Sequence, residues 1–195
     1  MREIRISIAV IFTILIFLGV AMIFSSSSVY ALRGLGSSTY FLKRHLFYLS
    51  LGFIAMAFSM MIDYRILVKY AKPLLVFSFC SVVLVLIPGI GREVYGARRW
   101  FQIFDFSIQP SEFMKVFMII YVADFLARKK KKIENFSEGF LPVMMVLGAA
   151  CLLILKQPDL GTAVLIGSVV FIMLFVAGAR LSHLGAVILT TLPLI

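Results

Sequence analysis

Two polar stations interrupt a chain that is otherwise a succession of apolar runs. The first, Gly96-Ala97-Arg98-Arg99-Trp100-Phe101-Gln102, leads into Gln109-Pro110-Ser111-Glu112-Phe113-Met114-Lys115, and the second is Lys156-Gln157-Pro158-Asp159-Leu160-Gly161-Thr162. Charge at the edge of a bilayer is unfavourable unless it has a task. Two chemistries are available to these residues. Adjacent arginines can grip a phosphate or pyrophosphate through bidentate hydrogen bonds. Glu112 and Lys115, three apart on one helical face, can pair within the membrane as the charged wall of a water-filled cavity.

Each residue also has a purely structural reading, and composition leaves both open. Arg98, Arg99 and Trp100 suit interfacial anchors, with the ring among headgroups and the cations reaching water. The Glu112–Lys115 pair can simply fix helix packing. Both stations place Gln-Pro ahead of an acid at the start of a span, where proline needs no amide donor and a carboxylate meets the positive end of the helix dipole. Helix-start chemistry alone accounts for Pro110, Pro158 and Asp159.

The elements that must position these groups are membrane helices. Hydrophobic residues make up 62% of the chain and charged residues 14%, and the mean hydropathy is +1.07. Such a composition cannot be sheltered inside 195 residues of soluble protein. The fold class is therefore all-α, a polytopic transmembrane helical bundle forming a single domain over 1–195. A span takes about 20 apolar residues, roughly 17 to 25. Six are predicted: Ile6–Phe24, Leu46–Ile62, Ala71–Ile87, Glu112–Ala127, Gly139–Leu155 and Thr162–Ala179. A seventh begins near His183 and is cut off at Ile195, so the chain is expected to be the front part of a longer protein. Unbroken apolar character favours helices over barrel strands, which would alternate.

A net charge of +10 would suggest nucleic acid in a soluble domain, but here the basic residues cluster in short loops and read as topology and lipid-headgroup charges. Counting Lys and Arg on alternate sides places the N-terminus in the cytoplasm, the margin coming mostly from Arg128-Lys129-Lys130-Lys131-Lys132. Both stations then face outward. The first apolar run exceeds the usual h-region of about 7 to 15 residues, so an uncleaved first span is expected. Cys80 and Cys151 fall inside apolar runs and behave as small hydrophobes. His45 and His183 lack metal-ligand spacing, and no metal-ligating residues are assigned. The glycines Gly36, Gly89, Gly91 and Gly96 lack the context of a phosphate loop.

The string GARRWFQIFDFSIQPSEFMK, followed by KQPDLGT and then LFVAGA, closely resembles the SEDS family (shape, elongation, division and sporulation), membrane peptidoglycan polymerases. The resemblance covers nearly the whole chain. The early SSSSVYAL and YFLKRHLFYLSLG look more like its division-type than its elongation-type members. The resemblance implies a ten-helix glycosyltransferase of the bacterial plasma membrane that joins lipid II units on the outer face during cell division. It implies a general-base acid in a large outer loop after the seventh span, beyond Ile195, so no catalytic residue is assigned within this chain and the segment alone is expected to be inactive. Substrate-positioning roles carry over to Arg99, Trp100, Gln109, Glu112, Lys115, Gln157 and Asp159, with Lys115 foremost. Pro110, Pro158 and Gly161 match the motifs as well. Some members carry a basic residue just before the Gln-Pro pair, where this chain has Ser107 and Ile108. No firmly bound cofactor is implied; a divalent cation, Mg2+ or Mn2+, is one way to offset pyrophosphate charge. Expected partners are lipid II, a class B penicillin-binding transpeptidase, other divisome proteins and membrane lipids, with no nucleic acid. A lipid II flippase and a non-catalytic divisome scaffold are the alternatives.

Overall fold

A computed structural model describes residues 2–94, 96–103 and 106–191, and the chain divides into two compact units, Met1–Asp63 and Tyr64–Ile195. In the first unit, α1 (Arg2–Leu35) and α2 (Tyr40–Met61) pack as a helical hairpin. At 1.5 Å per residue α1 is about 50 Å long, well beyond the ~30 Å hydrocarbon core of a bilayer. It outruns the predicted span at both ends. Among the described residues of this unit Ala31 alone is buried, and most side chains of both helices are exposed. Apolar side chains presented outward are what a lipid environment accepts.

The second unit holds α3 (Tyr64–Lys69), α4 (Ala71–Leu86), a small sheet, α5 (Pro110–Arg128), α6 (Leu141–Leu155), α7 (Leu160–Val176) and α8 (Leu181–Thr191). A 3-10 turn at Lys130–Lys132 and a π turn at Phe136–Phe140 join α5 to α6. Each central helix buries one narrow stripe: Leu75, Ser78, Val82 and Val85 on α4; Ser111, Met114, Met118 and Val122 on α5; Val143, Leu147, Ala150 and Ile154 on α6; Ala163, Ile166, Val170 and Leu174 on α7. Steps of three and four keep these residues on one face, which becomes the seam between helices while the other faces remain open to lipid.

The helical-bundle class holds, and among the described residues three helices, Glu3–Gly34, Tyr40–Met61 and Phe136–Leu155, are long and apolar enough to cross a membrane. Ala71–Leu86 and Leu160–Val176 are apolar but shorter. The seventh predicted span is represented by α8, which starts at Leu181.

One element lies outside the predicted pattern. Between α4 and α5 the chain forms an antiparallel meander, β1 (Arg92–Val94), β2 (Ala97–Ile103) and β3 (Phe106–Ile108), in the order β1-β2-β3. Gly96, at φ +76, makes the turn between β1 and β2, a backbone state that other residues adopt with difficulty. Gly91 brings the meander onto the end of α4 so closely that a Cβ there would lie 1.9 Å from the Val85 carbonyl oxygen.

Candidate functional site

The first station is therefore strand rather than helix start, which changes what its two arginines can do together. Successive residues of a strand point to opposite faces. Arg98 turns to β1, where its Nε and Nη2 donate to Glu93 Oε2 at 3.0 and 2.9 Å. Arg99 turns the other way, donating from Nε to the backbone oxygen of Gln157 at 2.7 Å and from Nη2 to that of Pro158. The two guanidinium groups thus leave β2 on opposite faces. Trp100 is half-buried and stands opposite Arg92 in the ladder. Arg92 Nη1 and Ser107 Oγ both donate to Gln102 Oε1, at 2.8 and 3.0 Å, tying the outer strands to β2.

Arg99 thus reaches the turn between α6 and α7, where the second station folds into a compact unit. Asp159 caps α7: Oδ1 accepts from the Thr162 amide at 3.1 Å and Oδ2 from Thr162 Oγ at 2.8 Å. That satisfies one of the orphan donors at a helix start. Asp159 Oδ2 also accepts from Gln109 Nε2 at 3.1 Å, and the same amide donates to Ser111 Oγ at 2.8 Å. The bond joins the starts of α5 and α7 at one end of the bundle. Gln157 is fully buried, with Nε2 donating to the Val82 carbonyl of α4 at 3.3 Å and Oε1 lacking a donor among the described residues.

Four of the seven residues singled out from sequence, Arg99, Gln109, Gln157 and Asp159, meet in this one hydrogen-bonded cluster. It connects β2, α4, α5 and the α6–α7 turn. Glu112 and Lys115 do not join it. They form their own ion pair at 2.7 Å one turn into α5, with Lys115 21% and Glu112 56% exposed. A pair exposed on its Glu112 side adds little stability, about 0–1 kcal/mol. An apolar groove of about 440 Å³ in the same unit is lined from α4, α5 and α6, and none of the station residues borders it.

Sequence reasoning missed Ser111 and Thr162, both partners inside the cluster, and Gly91, whose bare Cα admits the meander. The D-x-x-T spacing of Asp159 and Thr162 is a readable cap signature; the other two carry no local signal. Among the described acids near the cluster, Glu93 is held by Arg98, Glu112 by Lys115 and Asp159 by Gln109 and Thr162. Among the described residues no three His, Cys, Asp or Glu converge.

The comparisons agree on one family. Stage V sporulation protein E of Bacillus subtilis is 43% identical over 176 residues, covering 90% of this chain and 48% of that protein. A probable peptidoglycan glycosyltransferase FtsW of Geobacter sulfurreducens is 45% identical over 177 residues, covering 91% of this chain and 48% of the relative. The chain spans about half the length of the curated relatives it matches. Among solved structures, a chain from work on the structural coordination of polymerization and crosslinking by a peptidoglycan synthase complex superposes with a TM-score of 0.72 at 27% identity, over 91% of this chain and 52% of the other. The rod shape determining protein RodA of Thermus thermophilus gives 0.66 at 28% identity, over 93% and 58%. The sequence model of the cell cycle proteins FtsW, RodA and SpoVE matches residues 5–195, and the chain belongs to that family of membrane proteins.

Proposed function

We propose that this chain is the N-terminal part of a peptidoglycan glycosyltransferase that polymerises lipid II at the outer face of the bacterial plasma membrane during cell division. The observation that carries the reading is the cluster itself: two motifs separated by 58 positions close on each other through Arg99 and Gln157. This frames one polar end of the bundle, beside which Lys115 stands half-buried on α5.

The chemistry assigns different work to the two parts. The cluster positions β2 and the starts of α5 and α7. Lys115, oriented by Glu112, meets the pyrophosphate of the lipid-linked substrate, where a fixed cation stabilises negative charge as the leaving group departs. Arg99 offers five N–H donors, and two are occupied by the turn carbonyls. The remainder can reach a phosphate oxygen. Trp100 flanks this end from β2. The general base that takes the acceptor hydroxyl proton belongs to the part of the protein after Ile195. An N-terminus in the cytoplasm puts the cluster outside, in keeping with the basic loop that follows α5.

The partner proposed is a class B penicillin-binding transpeptidase, together with other divisome proteins. Its support is the solved complex, whose described work couples polymerisation to crosslinking. Purified whole protein supplied with labelled lipid II is expected to produce glycan strands. Headgroup movement across liposomes without strands would replace this reading with transport, and loss of both with partner binding retained would leave a scaffold.

A further inference from the structure

The apolar groove between α4, α5 and α6 lies at the end of the bundle away from the polar cluster. Lys72, at its mouth, is at the start of α4, whereas Val82, which takes the Gln157 amide, is about 15 Å further along that helix at 1.5 Å per residue. Tyr121 is the α5 residue of the lining and sits in the second half of that helix, while Met145 and Val146 are in the first half of α6 and Ala149 is just past its midpoint. Val76 and Phe79 continue the wall along α4. Apart from the Lys72 ammonium and the Tyr121 hydroxyl, the named walls are hydrocarbon, aromatic ring and thioether.

A volume near 440 Å³ falls in the range of small-ligand sites, about 300–1,000 Å³. It is too small to seat a helix of ~10–12 Å diameter, and its shape along three helices suits a flexible chain. Charge at the mouth selects the headgroup. Lys72 borders the groove and makes no ion pair among the described residues, and a lysine in such a place can lay its stem along apolar wall while its ammonium reaches the interface. Arg65 and Lys69 on α3 lie at this end, as do Arg128, Lys129, Lys130 and Lys132 after α5. The acids nearby are Asp63, just ahead of α3 in the chain, Asp124, Glu134 and Glu138, of which Asp124 pairs with Arg128 and Glu138 with Lys132. The surplus is positive.

We propose that this groove holds an acyl chain of an anionic phospholipid, with Lys72 taking the headgroup phosphate at its mouth. This site is separate from the one proposed for the lipid-linked sugar substrate and does not depend on it. The lipid would fill the seam between α4, α5 and α6 on the side of the basic loop, bracing the helices whose other ends carry the cluster.

The test is native mass spectrometry of the whole protein released from detergent, loaded with phosphatidylglycerol or with phosphatidylcholine of the same chains. Wild type is expected to retain phosphatidylglycerol about five-fold better, the worth of one lysine at an anionic surface. Lys72→Glu should bring the ratio to unity with the melting temperature preserved, and Ala149→Trp, which fills the groove, should remove both adducts. A photoreactive residue at Val76 in membranes should crosslink to lipid. Equal retention of the two lipids by wild type, an unchanged ratio in Lys72→Glu, or crosslinking of position 76 to a protein helix would each overturn the proposal.

Discussion

Arg99 and Gln157, 58 positions apart, are joined by a hydrogen bond of 2.7 Å from the guanidinium Nε to a backbone oxygen, and the same guanidinium takes the next carbonyl of the turn. A planar fork with several donors can serve two adjacent carbonyls at once; a lysine ammonium, a single point of charge on a flexible stem, cannot hold both in that geometry. Hydrogen bonds to a charged group contribute about 1.5–3 kcal/mol.

Arg99→Lys is accordingly expected to lower stability by about 1–3 kcal/mol and to reduce polymerisation. Denaturation of the detergent-solubilised whole protein, followed in parallel with strand synthesis, checks this. A variant that melts like wild type would show that the clamp on the turn contributes nothing.

For Lys115 the expectation is reversed, because its ion pair with Glu112 is exposed on the Glu112 side and worth little to the fold. Lys115→Ala should abolish strand synthesis by the whole protein while membrane insertion and the melt stay unchanged. Full activity in that variant would leave the pair with a packing role alone.

What sequence could show follows from how local each interaction is. The i,i+3 pairing of Glu112 with Lys115 and the helix start at Pro110 rest on neighbours within one turn and formed as their spacing requires, whereas Asp159 became the cap of α7 and Pro158, expected at the first helical position, stands in the turn ahead of it at φ +29. Helices stand where the apolar runs placed spans, but among the described residues only three are long and apolar enough to cross a membrane and α5 is not one of them, while α1 extends well past the predicted Phe24 because Ser25 to Ser28 continue the helix. The meander was hidden. Its strands are three to seven residues long, too short for alternation to stand out beside membrane-length runs. Once Arg99 is on a strand, its separation from Arg98 follows, and its partner lies on a different helix-helix turn that no local pattern points to.

Gly91 supplies a test of how the meander is held. A methyl group there would collide with the Val85 carbonyl, a backbone atom that cannot swing aside. Gly91→Ala should push β1 and β2 off the end of α4 and loosen the Arg99 contact with the turn. The expected result is loss of strand synthesis together with faster proteolysis between Ile90 and Gln109. Protection equal to wild type would mean that the end of α4 yields instead.

Gln157 separates packing from substrate contact within the cluster. Its side chain is 0% exposed, so a ligand cannot touch it without the bundle opening, and its amide makes one bond of 3.3 Å to a helical carbonyl. Methionine has nearly the same volume and length, so Gln157→Met should change stability by less than about 1.5 kcal/mol, as volume-conserving replacements do. Gln157→Ala leaves a cavity between α4 and the α6–α7 turn and should lose about 2–5 kcal/mol. Strand synthesis should follow stability across the pair, retained in Met and lost in Ala. A Met variant with a wild-type melt and no activity would show that the amide itself is needed, and would move Gln157 from positioning β2 and α7 to contact with the lipid-linked substrate.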